Sequence, residues 1–394
     1  MIAFILGRQP EIGLAELQAV YKKEPQLIAS NVALLDISSQ TALASSKRLG
    51  AIVKIIQVVD KKFTVSKSNV TALCQQLFTD VDGKITLGIS YYDPRASKRS
   101  AISLGQELQS ILKGLGHSTR LLPTNNAVLG TATILHNGLS GQNPKKIELN
   151  FIKTSDQASL CVGRTIYIQD IDAYTFRDRR RPRRDARNGM LPPKLAQTMV
   201  NLAVHASKSG QVQGVNLLDP FCGTGVVLQE AALMDMNVFG TDLNPDMVNN
   251  TKVNINWLNR MLHLDVTPNL AIGDATTFDW KSWASPDRIN LVTTETYLGR
   301  AYTTPPAADE LKYNITACNI IIDKFLANIS KQLPSGCGLC IGVPVWFVRD
   351  HIHHLPCTNQ LDSYRFVNQT DGANLIYHRP DQIVGRELLV LQKR

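Results

Sequence analysis

The sequence predicts an α/β protein: a C-terminal half built on a parallel sheet, preceded by an α+β region. Three observations lead there. From residue 192 onward short apolar runs alternate with helix-period segments, the pattern of a parallel sheet covered on both faces. Before residue 170 two stretches of mixed strands and helices read as small α+β units. A chain of 394 residues also exceeds one ordinary core, so two or three domains are expected.

The elements follow in order. AFIL reads as a strand and PEIGLAELQAVY as a helix, with Pro10 near its first turn and Ile12, Leu14, Ala15, Leu17 and Val20 largely on one side. VALLDI, SQTALASSKRL and AIVKIIQVV continue as strand, helix, strand, which makes residues 1–65 a first unit. Residues 66–170 form a second, with helices near 66–79 and 103–115 and strands near 84–91, 118–122, 146–153 and 159–168. The stretch 171–194 has no apolar period, three prolines, and seven arginines between Arg177 and Arg187, so 171–191 reads as a basic linker. Residues 192–394 then form one domain. KLAQTMVNLAVHA is a helix opened by Pro192 and Pro193, VNLLD a buried strand, and CGTGVVLQEAALMD a turn running into a helix. VFGTD, NLAIGDA, INLVTTE and CGLCIGVPVWF are further strands. NPDMVNNTKVNINWL and DELKYNITACNIIIDKFLANISKQL are helices, and RELLVLQK is a final strand expected at an antiparallel edge.

Composition narrows the class. Hydrophobic residues make up 44% and charged residues 19%, which is globular rather than disordered. No run of about eighteen apolar residues is present to span a membrane. The start, MIAFILGRQPEIG, lacks the basic opening of a signal peptide. Seven scattered cysteines form no framework and suggest reduced thiols in a cytoplasmic protein. The net charge of +9 is concentrated: residues 83–187 hold 17 Lys and Arg against 8 Asp and Glu, and the rest of the chain holds 25 of each. A clustered excess of this kind is the footprint of a phosphate-backbone partner, against the plainer reading of a solvated basic face.

LLDPFCGTGVVLQEA places Asp219 at the end of a buried strand, with Gly223 and Gly225 in the turn before a helix. The next strand ends in Asp242, 17 residues after Gly225, where an acid can accept both hydroxyls of a ribose. A third strand ends near Asp274, where an adenine amine could be met. Leu228 stands where a dinucleotide fingerprint needs its third glycine, and no Walker lysine follows. Asp219 is an awkward neighbour for a pyrophosphate but suits a cationic ligand. Electrostatics thus points to S-adenosylmethionine, with its ammonium and sulfonium. The plainer alternative is that the glycines only make a turn and the acids only cap helices.

LLDPFCGTG, preceded by LPPKLAQTMVNLA, closely resembles the tRNA guanine-N2 methyltransferases that act on position 10. FILGRQPEIGLAELQAV and IQDIDAYTFRDRRRP are similar to the start and the hinge of that family. The resemblance implies a ferredoxin-like unit, a THUMP RNA-binding domain and a C-terminal Rossmann-like class I methyltransferase domain. It implies donor-binding roles for Asp219, Phe221, Gly223, Gly225, Asp242 and Asp274, with Leu243 and Ala275 beside the two later acids. A THUMP module in such enzymes grips the tRNA acceptor end, which agrees with the basic block. Lys98, Arg99, Lys113, Arg120, Lys145, Lys146 and Arg164 are the candidate phosphate contacts there. Arg179, Arg180, Arg181, Arg183 and Arg184 join them from the linker.

The family pattern at the fourth strand is Asp-Pro-Pro-Tyr-Gly. This chain has Thr294-Glu295-Thr296-Tyr297, then Leu298-Gly299. An exocyclic amine is a poor nucleophile because its lone pair is delocalised, so acceptors for its N–H bonds and a stacking ring must localise and aim it. Tyr297 keeps the ring. Glu295 supplies a carboxylate displaced by one residue, and Thr294 holds the acid's own place with only a hydroxyl. Loss of both prolines predicts a looser loop. The four residues read as a reworked catalytic site with Glu295 as acceptor; the alternative leaves Glu295 solvated and the domain without turnover. N6 of adenine and N4 of cytosine need the same treatment as N2 of guanine. A DNA or rRNA amino-methyltransferase and a non-catalytic RNA-binding protein with a vestigial donor pocket therefore remain open, as does an accessory subunit.

No metal site is expected. Cys337-x-x-Cys340 lies in an apolar strand without a second pair, and His351, His353 and His354 lack partners at metal spacing. Cys222 reads as a small loop residue rather than a nucleophile.

Overall fold

A computed structural model describes residues 1–154, 159–184, 190–284, 289–359, 361–367 and 374–394. The chain forms two compact units. The first gathers Met1–Leu14, Lys23–Lys47 and Ile52–Ile171; the second gathers Ala15–Lys22, Arg48–Ala51 and Asp172–Arg394.

The N-terminal elements are β1 (Ile2–Leu6), α1 (Pro10–Tyr21), β2 (Gln26–Ala29), β3 (Val32–Leu35), α2 (Ser39–Ala44), β4 (Ile52–Phe63), α3 (Lys67–Phe78) and β5 (Ile85–Tyr92). They continue with α4 (Lys98–Gly114), β6 (Thr119–Leu121), α5 (Thr131–Asn137), β7 (Lys146–Lys153) and β8 (Leu160–Ile168). Eight strands make one sheet in the order β2-β3-β1-β4-β8-β7-β5-β6. The expected boundary at 65/66 does not interrupt that sheet, because the twelve-residue β4 pairs antiparallel with both β1 and β8. Helices α3 and α4 cover one face, with Leu73, Phe78, Leu104, Leu108 and Leu112 packed on Leu87, Ile89 and Phe151. Helix α4 begins at Lys98, earlier than the apolar period predicts, because Ser97 and Ser100 close a capping box around its first turn. A buried polar cluster crosses the middle of the sheet. Lys54 Nζ lies 2.6 Å from Glu148 Oε1 and 3.0 Å from the Tyr92 hydroxyl, and Ser90 Oγ donates to the same Glu148 oxygen.

The second unit contains all but the first residue of α6 (Ile171–Arg179), then α7 (Pro193–Ala206), β9 (Asn216–Asp219), α8 (Val226–Ala232), β10 (Asn237–Asp242), α9 (Pro245–Leu262), β11 (Asn269–Ile272) and α10 (Trp280–Ala284). It is completed by β12 (Leu291–Glu295), α11 (Ala308–Ser330), β13 (Gly338–Val348), β14 (His351–His353), β15 (Tyr364–Phe366), β16 (Leu375–Tyr377) and β17 (Val384–Lys393). The sheet runs β11-β10-β9-β12-β13-β17-β15, with β14 against β13 and β16 against β17. The strands from β11 to β13 are parallel, and β17 is antiparallel to β13. From β9 the chain winds outward through β10 and β11, then returns to place β12 on the other side of β9. That reversal is the switch point at which α/β sheets open a crevice. The core beyond it packs Phe325, Ile322 and Leu326 of α11 on Ile341, Val343 and Trp346 of β13.

One expectation needs correction. The strand RELLVLQK is not an edge, since β15 and β16 both pair with its outer side. The stretch 171–191, read as a basic linker, begins with the helix α6 over Ile171–Arg179. Its apolar period is weak because polar groups anchor it. Arg177 lies 2.7 Å from Glu230 of α8 inside the core, and Phe176 stacks on Trp257 of α9 with ring centroids 5.0 Å apart. Residues 185–189 of that stretch, Arg187 among them, lie outside the described residues. Among the described residues no helix is long and apolar enough to cross a membrane.

Candidate active site

Strand β9 buries Leu217 and Leu218 in the sheet and ends on Asp219, a residue only 2% exposed at the edge of the crevice. Its Oδ1 accepts the Phe221 N–H at 3.2 Å and the Thr294 hydroxyl at 2.6 Å. The chain then turns through Pro220–Gly225 into α8. Gly223 and Gly225 hold φ of +50° and +79°, and a Cβ at Gly225 would stand 2.8 Å from Thr251 Cγ2, so both backbone and space demand glycine. Thr251 of α9 pins the turn by donating to the Gly223 carbonyl at 2.8 Å. Cys222 is buried within it, its thiol pushed well up by burial and by Asp219 and Asp242 nearby.

Asp242 ends β10. Its Oδ2 accepts the Gly223 N–H and its Oδ1 the Asn244 N–H, both at 2.9 Å, so one carboxylate ties the glycine turn to the start of α9. Beyond β11, Asp274 Oδ1 accepts both the N–H and the hydroxyl of Thr276 at 2.8 Å. Burial raises the Asp219 carboxyl to about 7 against the Thr294 and Phe221 hydrogen bonds, with Asp242 and Glu295 adding to the rise. Asp242 is raised as well, by burial first, while the Asn244 and Gly223 amides oppose it.

These groups line one cavity of about 700 Å³, and Glu295, Thr296 and Tyr297 line the same cavity. Seven of the eight expected donor residues line it, namely Asp219, Phe221, Gly223, Asp242, Leu243, Asp274 and Ala275; Gly225 does not, and sits in the turn behind it against Thr251. The donor set is acidic, and the turn 220–225 contains no lysine or arginine. That chemistry fits a cationic nucleoside and not a pyrophosphate.

The acceptor motif divides. Thr294 is fully buried with its hydroxyl committed to Asp219, so it does not face the cavity. Thr296 is 4% exposed, and both its N–H and its hydroxyl donate to the Gly342 carbonyl, at 2.9 and 3.1 Å. These two hydrogen bonds tie Thr296 to β13. A proline at 296 could not donate that N–H, and further along Gly299 (φ +79°) packs on Asn314 of α11. Tyr297 is 46% exposed at the cavity rim. Glu295 is not a solvated loop residue: its Oε1 accepts from Arg386 Nε of β17. Burial raises the Glu295 carboxyl, and the Arg386 guanidinium opposes the rise.

Sequence reading missed several lining residues. Met190 and Leu191, just before α7, line the cavity, as do Met247 of α9 and Ile320, Ile321 and Lys324 of α11. LPPKLAQ was a usable signal for Leu191. No spacing rule could bring α11 or Arg386 from so far along the chain.

Among the basic candidates, Arg181 must be withdrawn: it is 3% exposed, with Nη2 2.9 Å from Met190 Sδ. Arg179, Arg180, Arg183 and Arg184 are exposed. In the first unit Lys98 and Arg99 open α4, at the end of the sheet where β5 finishes. Lys113 closes α4, and Arg120 and Lys146 flank Thr86 at the start of β5, with Lys145 beside them. The candidates thus fall at two ends of the sheet. Arg164 is half-buried and donates to Gln57 Oε1 at 2.9 Å.

Cys337 and Cys340 are buried in the core, and His354 Nδ1 lies 2.7 Å from Glu387 Oε2. Among the described residues no group of three or more His, Cys, Asp or Glu could hold a metal.

Residues 180–266 match the family described as UPF0020: RMKL-like, methyltransferase domain. The tRNA (guanine(10)-N2)-dimethyltransferase of Pyrococcus abyssi (strain GE5 / Orsay) is 30% identical over 170 residues, 42% of this chain and 47% of that protein. A protein of the same name from Methanothermobacter thermautotrophicus is 30% identical over 156 residues, 40% of this chain and 39% of that protein. The chain spans less than half the length of these relatives in each match. The crystal structure of TrmN from Thermus thermophilus covers 100% of both chains with a TM-score of 0.52 and 15% identity. That likeness shows a shared fold, and the α/β class read from the sequence holds.

Proposed function

We propose that this chain is an S-adenosylmethionine-dependent RNA methyltransferase that modifies the exocyclic N2 of a guanosine in tRNA. The carrying observation is a single cavity in which an acid-lined donor crevice runs into Glu295 and Tyr297. The activity for which the two relatives are named supports tRNA and guanine. Asp242 takes the ribose hydroxyls, Asp274 the adenine amine, and Asp219 the positive end of the donor. When bound, the donor supplies an electrophilic methyl group: nitrogen gains a bond to carbon, sulfur keeps the electron pair of the broken bond, and one N–H proton is released. Tyr297 stacks on the base, and Glu295 accepts an amine N–H so that the lone pair points at the methyl. Residues 66–170 act as a THUMP-like module that delivers tRNA by phosphate contacts, and the protein works in the cytoplasm.

One observation favours a second reading. Thr294 and Thr296, half of the motif, spend their hydroxyls inside the protein, as they would in a domain that binds donor and RNA without turnover. Equilibrium dialysis with labelled donor, followed by tritium transfer to total tRNA and nucleoside mass spectrometry, separates the two. Donor retention with label in methylguanosine is the expected result. Retention without transfer to any RNA supports the second reading, and no retention removes both.

A further inference from the structure

Arg386 is 6% exposed and belongs to β17, 91 residues from Glu295. Arginine stays protonated throughout the physiological range, so a buried one needs a carboxylate partner. The pairing leaves Glu295 asymmetric. Oε1 is engaged by Arg386 Nε, while Oε2 accepts no hydrogen bond among the described residues, and the side chain, 18% exposed, lines the cavity beside Tyr297.

We propose that Arg386 is a positioning residue that presents Glu295 to the incoming base as a fixed, acceptor-only edge, and that this edge selects a guanine. The inference rests on the methyltransferase reading above. A carboxylate offers lone pairs and no proton. Guanine carries its N2 amine beside N1–H, so one donor meets Oε2 and the other the lone pair of Oε1 that Arg386 leaves over. Adenine carries N6 beside N1 and cytosine carries N4 beside N3, and in each a ring lone pair would face the carboxylate. A good bidentate match of this kind discriminates by roughly ten- to a hundredfold.

The test uses Glu295→Gln, Arg386→Gln and Arg386→Lys in the full chain, with unmodified tRNA transcripts and labelled donor. Glu295→Gln is near-isosteric. Arg386 holds its carbonyl oxygen, so the amide NH₂ faces the cavity and opposes guanine N1–H. Its expected result is a loss of guanine methylation of about a hundredfold and a fall of at least about tenfold in the ratio of methylguanosine to methyladenosine, with donor affinity within about twofold. Arg386→Lys should recover part of the ratio that Arg386→Gln loses. Saturation-transfer NMR with guanosine and adenosine 5′-monophosphates, the donor pocket filled by S-adenosylhomocysteine, should show the same preference in the wild type and its loss in Glu295→Gln. Methylation of guanine with an unchanged ratio in Glu295→Gln overturns the inference, as does a wild type that methylates adenine or cytosine. A wild type that binds no donor and labels no RNA overturns the methyltransferase reading instead.

Discussion

Asp219 sets the behaviour of the crevice through its charge. Its ordinary value is 3.8 and its folded value about 7, so between these the unfolded chain carries the charge and the folded chain holds the proton. The unfolded state then binds fewer protons, and the contribution of this group to stability falls as pH rises through that window. A cationic donor favours the ionised form, so binding near pH 6 should expel a proton. Donor affinity should rise by up to about tenfold per pH unit until about pH 7 and then flatten. Calorimetry across pH checks this, and Asp219→Asn should remove the slope. Asp242 acts differently, since it ties Gly223 to Asn244. Asp242→Ala should weaken donor binding at least about a hundredfold, as charge-assisted hydrogen bonds are lost, while tRNA affinity changes little. Equal loss of both in dialysis and filter binding would count against separate donor and RNA surfaces.

At the scale of elements, α6 shows what periodicity cannot see. Its buried face is carried by Tyr174 and by an arginine, Arg177, whose partner Glu230 lies 53 residues ahead and is itself 1% exposed. Removing one member of such a pair strands the other charge. Arg177→Ala should destabilise the second unit by about 3–5 kcal/mol, and Arg179→Ala, on the exposed side, by no more than about 0.5 kcal/mol. Urea unfolding followed by tryptophan fluorescence measures both. Where burial is apolar, local reading succeeds. Helix α1 falls on PEIGLAELQAVY, and β9, β10 and β12 end at the residues that the alternation of apolar strands and turns indicates. Where burial is polar, as in α6, or set by strand partners far along the chain, as around β17, the local pattern is silent.

For the molecule as a whole, the acid-lined crevice was legible as a place because three strand ends and a glycine turn are written in one segment, residues 219–274. The other half of the cavity was not, because Glu295 is held by Arg386 and the loop after it hydrogen-bonds to Gly342 and Asn314, all further along the chain. The basic block was legible as a quantity but not as a surface. It splits between Lys98 and Arg99 at one end of the first sheet and Lys113, Arg120, Lys145 and Lys146 at the other. The second group concentrates four charges near one sheet end, so under the proposed function it is the group expected to meet a phosphate backbone. Reversing those four charges should reduce the slope of log affinity against log salt by about one for each phosphate no longer neutralised, while reversal of Lys98 and Arg99 should leave it nearly unchanged. Filter binding of tRNA at several salt concentrations decides between them.

Cys222 carries a practical consequence. Its sulfur sits inside the glycine turn, 4% exposed and hard to deprotonate, so an alkylating reagent must wait for the turn to breathe. The rate of its modification, followed by peptide mass spectrometry, is therefore a clock for transient opening of that turn. A ligand clasped by Asp242 should slow the clock in proportion to its occupancy, and that gives a readout of saturation needing neither turnover nor a labelled methyl group.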